Sequence, residues 1–230
     1  TTTFTTSNDA VSFTTADVQL ANGSNLTVTT AGGAISANKI DGTSDEDVTL
    51  SSTGGTANTV SVGAIGTGTA NGINTVALTG GTSVTLNGNI TTSSATGNSV
   101  TVTGPALLGA GVTVNTSANV TDQTGAISFT STIDNAQALT LTAGSADVTV
   151  GGAIGNTAAL SSLTITGNDV SLANIGGAAA GVSGATSVTA STSGADTGSV
   201  TFTGTTYKTD GTQSYTAPAG YNLLVNGGAT

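Results

Sequence analysis

Three isoleucines, Ile133, Ile154 and Ile175, recur every 21 residues, and three more, Ile40, Ile65 and Ile90, recur every 25. Each lies shortly after an apolar-polar-apolar triplet. Spacing of this kind restricts the chain to stacked segments, because stacking is what brings residues some two dozen positions apart into one column. Two series of triplets keep the same beat. A second wall reads Val11-Ser12-Phe13, Ile35, Val60-Ser61-Val62, Val84-Thr85-Leu86, Val112-Thr113-Val114, Ile127-Ser128-Phe129, Val148-Thr149-Val150, Val170-Ser171-Leu172 and Val200-Thr201-Phe202. A first wall falls between them: Leu26-Thr27-Val28, Val48-Thr49-Leu50, Val76-Ala77-Leu78, Val100-Thr101-Val102, Leu139-Thr140-Leu141, Leu163-Thr164-Ile165 and Val188-Thr189-Ala190.

The period inside each triplet is two, which is the period of a strand: Leu139 and Leu141 turn one way, Thr140 and Thr142 the other. A triplet is too short to stand alone, so it needs another triplet about 4.8 Å away to pair its backbone and continue its apolar column. The expected fold is therefore all-β: a single-stranded parallel β-helix with three short strands per coil and roughly nine to ten coils. At one strand spacing per coil the rod is about 45 Å long. Val60 to Ile90 resembles Val148 to Ile175, each running from a triplet through Ala-Ile-Gly to Asn-Ile. Between Val120 and Ile127 no first-wall triplet occurs, only Thr121-Asp122-Gln123-Thr124-Gly125, which predicts a shortened or distorted coil. The segments 104–111 and 178–186 read as corner insertions. Residues 205–230, with Tyr207, Tyr215, Tyr221 and Pro218, depart from the triplets and read as an irregular cap or junction.

Composition argues for the same class. Charged residues are 6% and aromatics 3% of the chain, too few for an ordinary mixed domain. The glycine, serine and threonine content would suit a flexible linker, but the aliphatic residues fall in register and β-branched residues dominate the triplets. Threonine, glycine and the lack of a 3.6-residue stripe disfavour helix. Twelve acids stand against Lys39 and Lys208, a net charge of −10 that repels phosphate backbones, so nucleic acid is not an expected partner. No run of about 18 apolar residues suggests membrane insertion. The chain begins without methionine and reads as a segment of a longer tandem array.

The chemistry open to the chain is narrow. It contains no histidine and no cysteine, which removes the imidazole base, the thiol nucleophile and their metal ligands. No catalytic residue, cofactor site or cofactor is expected. Asp41, Asp45, Glu46 and Asp47 form the single acidic cluster, a weak calcium candidate whose spacing matches neither an EF-hand nor a calcium nonapeptide. Asp9, Asp17, Asp134, Asp147, Asp169 and Asp210 sit where carboxylates cap turns. Gly32-Gly33, Gly54-Gly55, Gly80-Gly81 and Gly176-Gly177 read as corners, since no P-loop lysine follows them. Thr27 and Thr29, Thr49 and Ser51, Thr101 and Thr103, Thr140 and Thr142, and Thr164 and Thr166 are expected to stack into two hydroxyl ladders on one flat surface. Such ladders resemble those of ice-binding solenoids, although threonine is also an ordinary strand former.

The triplets with Ala-Ile-Gly corners, Thr124-Gly125-Ala126-Ile127-Ser128-Phe129 and the closing Gln213-Ser214-Tyr215-Thr216-Ala217-Pro218 resemble repeat regions of very large bacterial surface proteins of the filamentous haemagglutinin type. That resemblance implies a right-handed parallel β-helix, an extracellular or cell-surface location, and a role as a stalk or adhesin without catalysis. Its implied partners are a receptor or glycan on a host or neighbouring cell and flanking copies of the same repeat. The alternatives are a carbohydrate-active β-helix enzyme, which would need convergent carboxylates in a groove, and an ice-binding solenoid.

Overall fold

A computed structural model describes residues 1–66, 72–93, 99–119, 124–193, 196 and 198–226. Among them there is no helix, and all pairings between named strands are parallel. The chain winds through three faces in the fixed order A, B, C. Face A carries Thr2–Thr6, Leu26–Thr30, Val48–Ser52, Thr75–Gly80, Ser99–Thr103, Ile127–Phe129, Val148–Val150, Val170–Leu172, Val200–Phe202 and Leu223–Val225. These ten strands mark about nine stacked coils of a β-solenoid. Face B carries Val11–Phe13, Ile35–Ala37, Thr59–Val62, Ser83–Leu86, Ala106–Leu108 and Ile133–Asp134, then continues as single bridges through Ile154, Ile175 and Tyr207. Face C begins with Val18–Gln19, Ile40–Asp41, a bridge at Ile65 and Ile90–Thr91. It continues with Val112–Asn115, Ala138–Thr142, Ser162–Gly167, Thr186–Ala190 and Gln213–Thr216.

Strand alternation turns every second side chain inward, and stacking closes those side chains over one another. On face A the column Leu26, Val48, Val76, Val100, Ile127, Val148, Val170, Val200 is nowhere more than 3% exposed. On face C, Ile40, Ile65, Ile90, Val114, Leu141, Ile165 and Val188 stand in one column, all buried. Each fully buried aliphatic side chain contributes about 1.5 to 3 kcal/mol before chain entropy is counted. On face A one turn takes from 21 residues (Ile127 to Val148) to 30 (Val170 to Val200), the variation falling in the corners.

The triplets identified in the sequence are strands, but they do not keep to one wall. Face A is built from first-wall triplets as far as Val102 and from second-wall triplets from Ile127 onward. Face C takes Ile40, Ile65 and Ile90, then Val112–Asn115, then the first-wall triplets from Leu139. The two isoleucine series thus belong to different faces. The cause is Ala106–Leu108, part of a segment expected to be a corner: it is a strand of face B, with Ala106 paired to Val84 on one side and Ile133 on the other. It shifts the unit of long strand, triplet and isoleucine by one face.

The same strand removes the expected shortening of that coil. Val112–Asn115 occupies face C and Ile127 opens the next strand of face A, so that coil has all three strands; residues 120–123 lie outside the described residues. The last two first-wall triplets stack with an offset of two residues, since Val188 pairs with Ile165 while Leu163 pairs with Thr186. Nor are residues 205–226 irregular. Tyr207 extends face B, Gln213–Thr216 face C and Leu223–Val225 face A, which together make one more turn. Residues 227–230 lie outside the described residues.

That last turn carries an aromatic cluster. Phe202 meets Tyr207 and Tyr215 edge-on, with ring centroids 4.8 and 4.9 Å away. Burial first, and the neighbouring Tyr207 second, push the Tyr215 phenol up to about 12 from its ordinary 10. Burial also raises Tyr207, opposed by the Gly204 amide that donates to its oxygen at 2.9 Å. In the unfolded chain these phenols ionise near 10, whereas in the fold Tyr215 stays protonated to about 12. Their contribution to stability is therefore whole below pH 10, falls between pH 10 and about 12, and is flat above. Urea titrations across that range are expected to show the fall, and Tyr215→Phe to flatten it; an unchanged slope in that variant would place the cause elsewhere.

Candidate functional surface

Three kinds of polar feature decorate this scaffold: an acidic corner, polar ladders between coils, and hydroxyl rows on the faces. The acidic corner is shaped by Asp45, which takes a left-handed φ of 60° and lets Glu46 fold back beneath its own loop. The Glu46 side chain is fully buried, and its carboxylate accepts the amides of Thr43 and Ser44 at 2.7 Å and of Gly23 in the preceding coil at 3.1 Å. Asp47 points along the stack. Its Oδ2 accepts from Asn25 Nδ2 at 3.0 Å, and its Oδ1 from Asn74 Nδ2 at 3.0 Å and Thr75 Oγ1 at 2.7 Å. Asp41 lies 3.3 Å from the Lys39 ammonium, and Asp45 is exposed.

The four acids of the calcium candidate are adjacent in sequence but diverge in space, Glu46 inward and Asp47 along the axis. Among the described residues no three acidic, histidine or cysteine side chains gather where they could hold a metal. The arrangement can do something else: a buried carboxylate that takes three amide donors pins the corner to its neighbour. Glu46→Ala leaves those amides unpartnered and is expected to cost about 3 kcal/mol, with Glu46→Gln costing less because one acceptor survives. Chemical denaturation in EDTA and in calcium should give the same midpoint for the parent chain; a midpoint raised by calcium would restore the cation reading.

Of the remaining aspartates, Asp134, Asp147 and Asp169 cap backbone amides, and they do so in the next coil and not in their own turn, whereas Asp17 accepts from the Asn38 side chain at 3.0 Å. Asp134 Oδ1 accepts from the amides of Thr157 and Ala158, Asp147 Oδ1 from the amide of Asp169, and Asp169 Oδ1 from the amide and hydroxyl of Ser199, both at 2.7 Å. Asn174 does the same for the amides of Thr205 and Thr206. The signal was available, since Asp47, Asp147 and Asp169 each precede the first inward residue of a face A strand. The expectation of one continuous first wall concealed it.

The hydroxyl rows also differ from expectation. Thr27, Thr29, Thr49, Ser51, Thr101 and Thr103 stand on face A, while Thr140, Thr142, Thr164 and Thr166 stand on face C. Each face holds a paired platform over five strands. On face A the rows are Thr3, Thr27, Thr49, Ala77, Thr101 and Thr5, Thr29, Ser51, Thr79, Thr103. On face C they are Thr113, Thr140, Thr164, Ser187, Ser214 and Asn115, Thr142, Thr166, Thr189, Thr216. The paired hydroxyl rows move to another face where the long strands do.

A depression of about 180 Å³ lies near the C-terminal end, lined by Asp169, Gly198, Ser199, Tyr221, Asn222 and Leu224. Its one carboxylate, Asp169, is the group already bonded to Ser199. The paired carboxylates that glycoside hydrolysis requires are not assembled in it. Comparison with protein families, with curated proteins and with solved structures gave no match for this chain.

Proposed function

We propose that this chain is a stiff rod segment, a stalk or adhesive spacer, within a larger exported or cell-surface protein. The observation that carries this reading is the set of apolar columns running unbroken through every coil beneath faces of neutral hydroxyls. Such an arrangement resists bending because each coil is bonded to its neighbours on all three faces. It also keeps large apolar side chains off the sides between the first and last turns, which suits a spacer in contact with water. Two copies fused in register should scatter as a rod whose length grows by about 45 Å at constant cross-section. A fused pair that scatters as two units flexing about the join would overturn the proposal.

One observation favours a second reading, in which the paired hydroxyl platforms order water. Their rows repeat at about 4.8 Å between strands and about 6.7 Å along them, a neutral lattice of hydroxyls and methyls. Ice growth in the presence of the protein tests it: thermal hysteresis that disappears in Thr140→Tyr and Thr164→Tyr supports the reading, and unchanged ice growth rejects it.

A further inference from the structure

Four asparagines stand two residues before a serine or threonine, in Asn25-Leu26-Thr27, Asn89-Ile90-Thr91, Asn115-Thr116-Ser117 and Asn119-Val120-Thr121. This tripeptide is the acceptor pattern for an N-linked sugar. In a chain so rich in serine and threonine the pattern recurs by composition alone, so the spacing carries nothing until the fold separates the four sites.

Three of them are closed or badly placed. Asn25 is tied at both ends of its amide: Oδ1 accepts the Asp47 amide at 2.9 Å, and Nδ2 donates to the Asp47 carboxylate at 3.0 Å. Asn119 is 8% exposed, and its Nδ2 donates to the Ser93 carbonyl at 3.1 Å; Val120 and Thr121 lie outside the described residues. Asn89 is exposed, but its Oδ1 accepts the Thr113 amide of the next coil at 2.9 Å. The strand Ile90–Thr91 follows at once, and extended backbone holds residues two apart about 6.7 Å from one another. The Thr91 hydroxyl therefore stands away from the Asn89 amide.

Asn115 differs in each respect. It is the last residue of the face C strand Val112–Asn115, half-buried, with its side chain outward in the row that continues through Thr142. Thr116 then turns wholly into the core, where its hydroxyl donates to the Gly125 carbonyl. That anchor bends the chain and brings Ser117 back beside Asn115. Asn115 Oδ1 accepts the Ser117 amide at 2.8 Å and the Ser117 hydroxyl at 2.9 Å, while Nδ2 meets no acceptor among the described residues. The amide nitrogen is open to a reagent, and two donors converge on the oxygen of the same amide.

Glycosyl transfer needs that arrangement. An amide nitrogen is a weak nucleophile because its lone pair is shared with the carbonyl; it attacks as its proton leaves, and charge then gathers on Oδ1. Two donors already aimed at Oδ1 stabilise this imidate without rearrangement. We infer that Asn115 is an acceptor for an N-linked sugar in the folded rod, the co-substrate being a diphosphate-activated sugar brought by a transferase. The bond from Nδ2 to the anomeric carbon forms as the bond from that carbon to the diphosphate oxygen breaks. The diphosphate leaves with the electron pair, and the Nδ2 proton passes to a base of the transferase. The inference rests on the geometry of the acceptor and not on the role of the rod as a spacer.

Incubating the folded chain with a soluble asparagine glycosyltransferase and UDP-glucose, then mapping the modified peptides by mass, tests it. The expected result is one hexose, on Asn115, incorporated at least about tenfold faster than on Asn25, Asn89 or Asn119. Short synthetic peptides carrying the four tripeptides serve as the unfolded reference and should differ from one another far less. Asn115→Gln should abolish incorporation into the folded chain, with a circular dichroism spectrum that matches the parent's. Either of two results defeats the inference: a folded chain left unmodified at Asn115 by a transferase that modifies the peptides, or Asn89 modified in the folded chain as fast as Asn115.

Discussion

Ile154→Asp is expected to lower stability by more than about 4 kcal/mol, enough to unfold the coils around it at room temperature. Ile154 is 1% exposed and bridges Ile133 on one side to Ile175 on the other, so an aspartate there puts a carboxylate between two aliphatic side chains with no donor facing it. The backbone does not yield, because the Ile154 amide is bonded to Asn174 and the next amide to Ile133. In a stacked array the damage spreads, since the coils on both sides lose one neighbour. Two controls make the result specific. Ile154→Val keeps the column and should cost about 1 kcal/mol. Thr149→Asp adds the same carboxylate to an exposed position of the same coil and should stay within about 0.5 kcal/mol of the parent. Urea denaturation followed by circular dichroism measures all three, and an Ile154→Asp midpoint equal to the parent's would remove the apolar column as the source of stability.

The fold class was legible in the sequence because the alternation within a triplet and the recurrence between triplets are independent signals that agree. Leu139 and Thr140 declare which way each side chain points, and Ile133, Ile154 and Ile175 declare that coils are stacked. Neither signal identifies a face. All three faces want the same apolar-polar-apolar triplet, so a triplet moved from one face to another leaves the pattern intact. Hence the move at Ala106–Leu108 went unseen, and with it the placement of Thr140 and Thr164 on a different face from Thr27 and Thr49. Pro105, Gly104 and Gly109 made that strand look like a corner, yet proline before a strand and glycine beside one are compatible with it.

The offset at Val188 has a related cause. Pairing Val188 with Ile165 in place of Leu163 shifts the strand by two residues, and a shift of two preserves inward and outward positions alike. Pattern reasoning fixes register only to within an even number. The acidic corner shows a different limit. Four acids within seven residues look like a cation site, but whether they converge depends on backbone direction, and the left-handed turn at Asp45 sends Glu46 inward. Asparagine or glycine would be the usual marker of such a turn; aspartate is a weaker one.

A second large effect concerns how closely the coils approach, and two glycines of nearly equal conformation separate that from backbone strain. Gly155 has φ +65° and Gly23 has φ +74°, so alanine at either place meets the left-handed penalty of about 1 to 2 kcal/mol. Their surroundings differ. A Cβ on Gly23 would meet nothing within 4 Å, whereas a Cβ on Gly155 would run into the carbonyl of Gly181. Gly181 cannot withdraw freely, since its carbonyl accepts the Leu160 amide at 2.9 Å and its amide donates to Lys208 at 2.7 Å. A shift of that backbone loosens the bonds that join three successive coils. Gly155→Ala should therefore cost at least about 3 kcal/mol and Gly23→Ala no more than about 2 kcal/mol, the difference measuring the close approach. Hydrogen exchange gives a second reading of the same contact: in Gly155→Ala the amides of Leu160 and Gly181 should lose protection, while Gly23→Ala should leave them untouched. Equal losses of stability in the two variants would mean that the left-handed conformation alone, and not the packing of one coil on the next, fixes glycine at these corners.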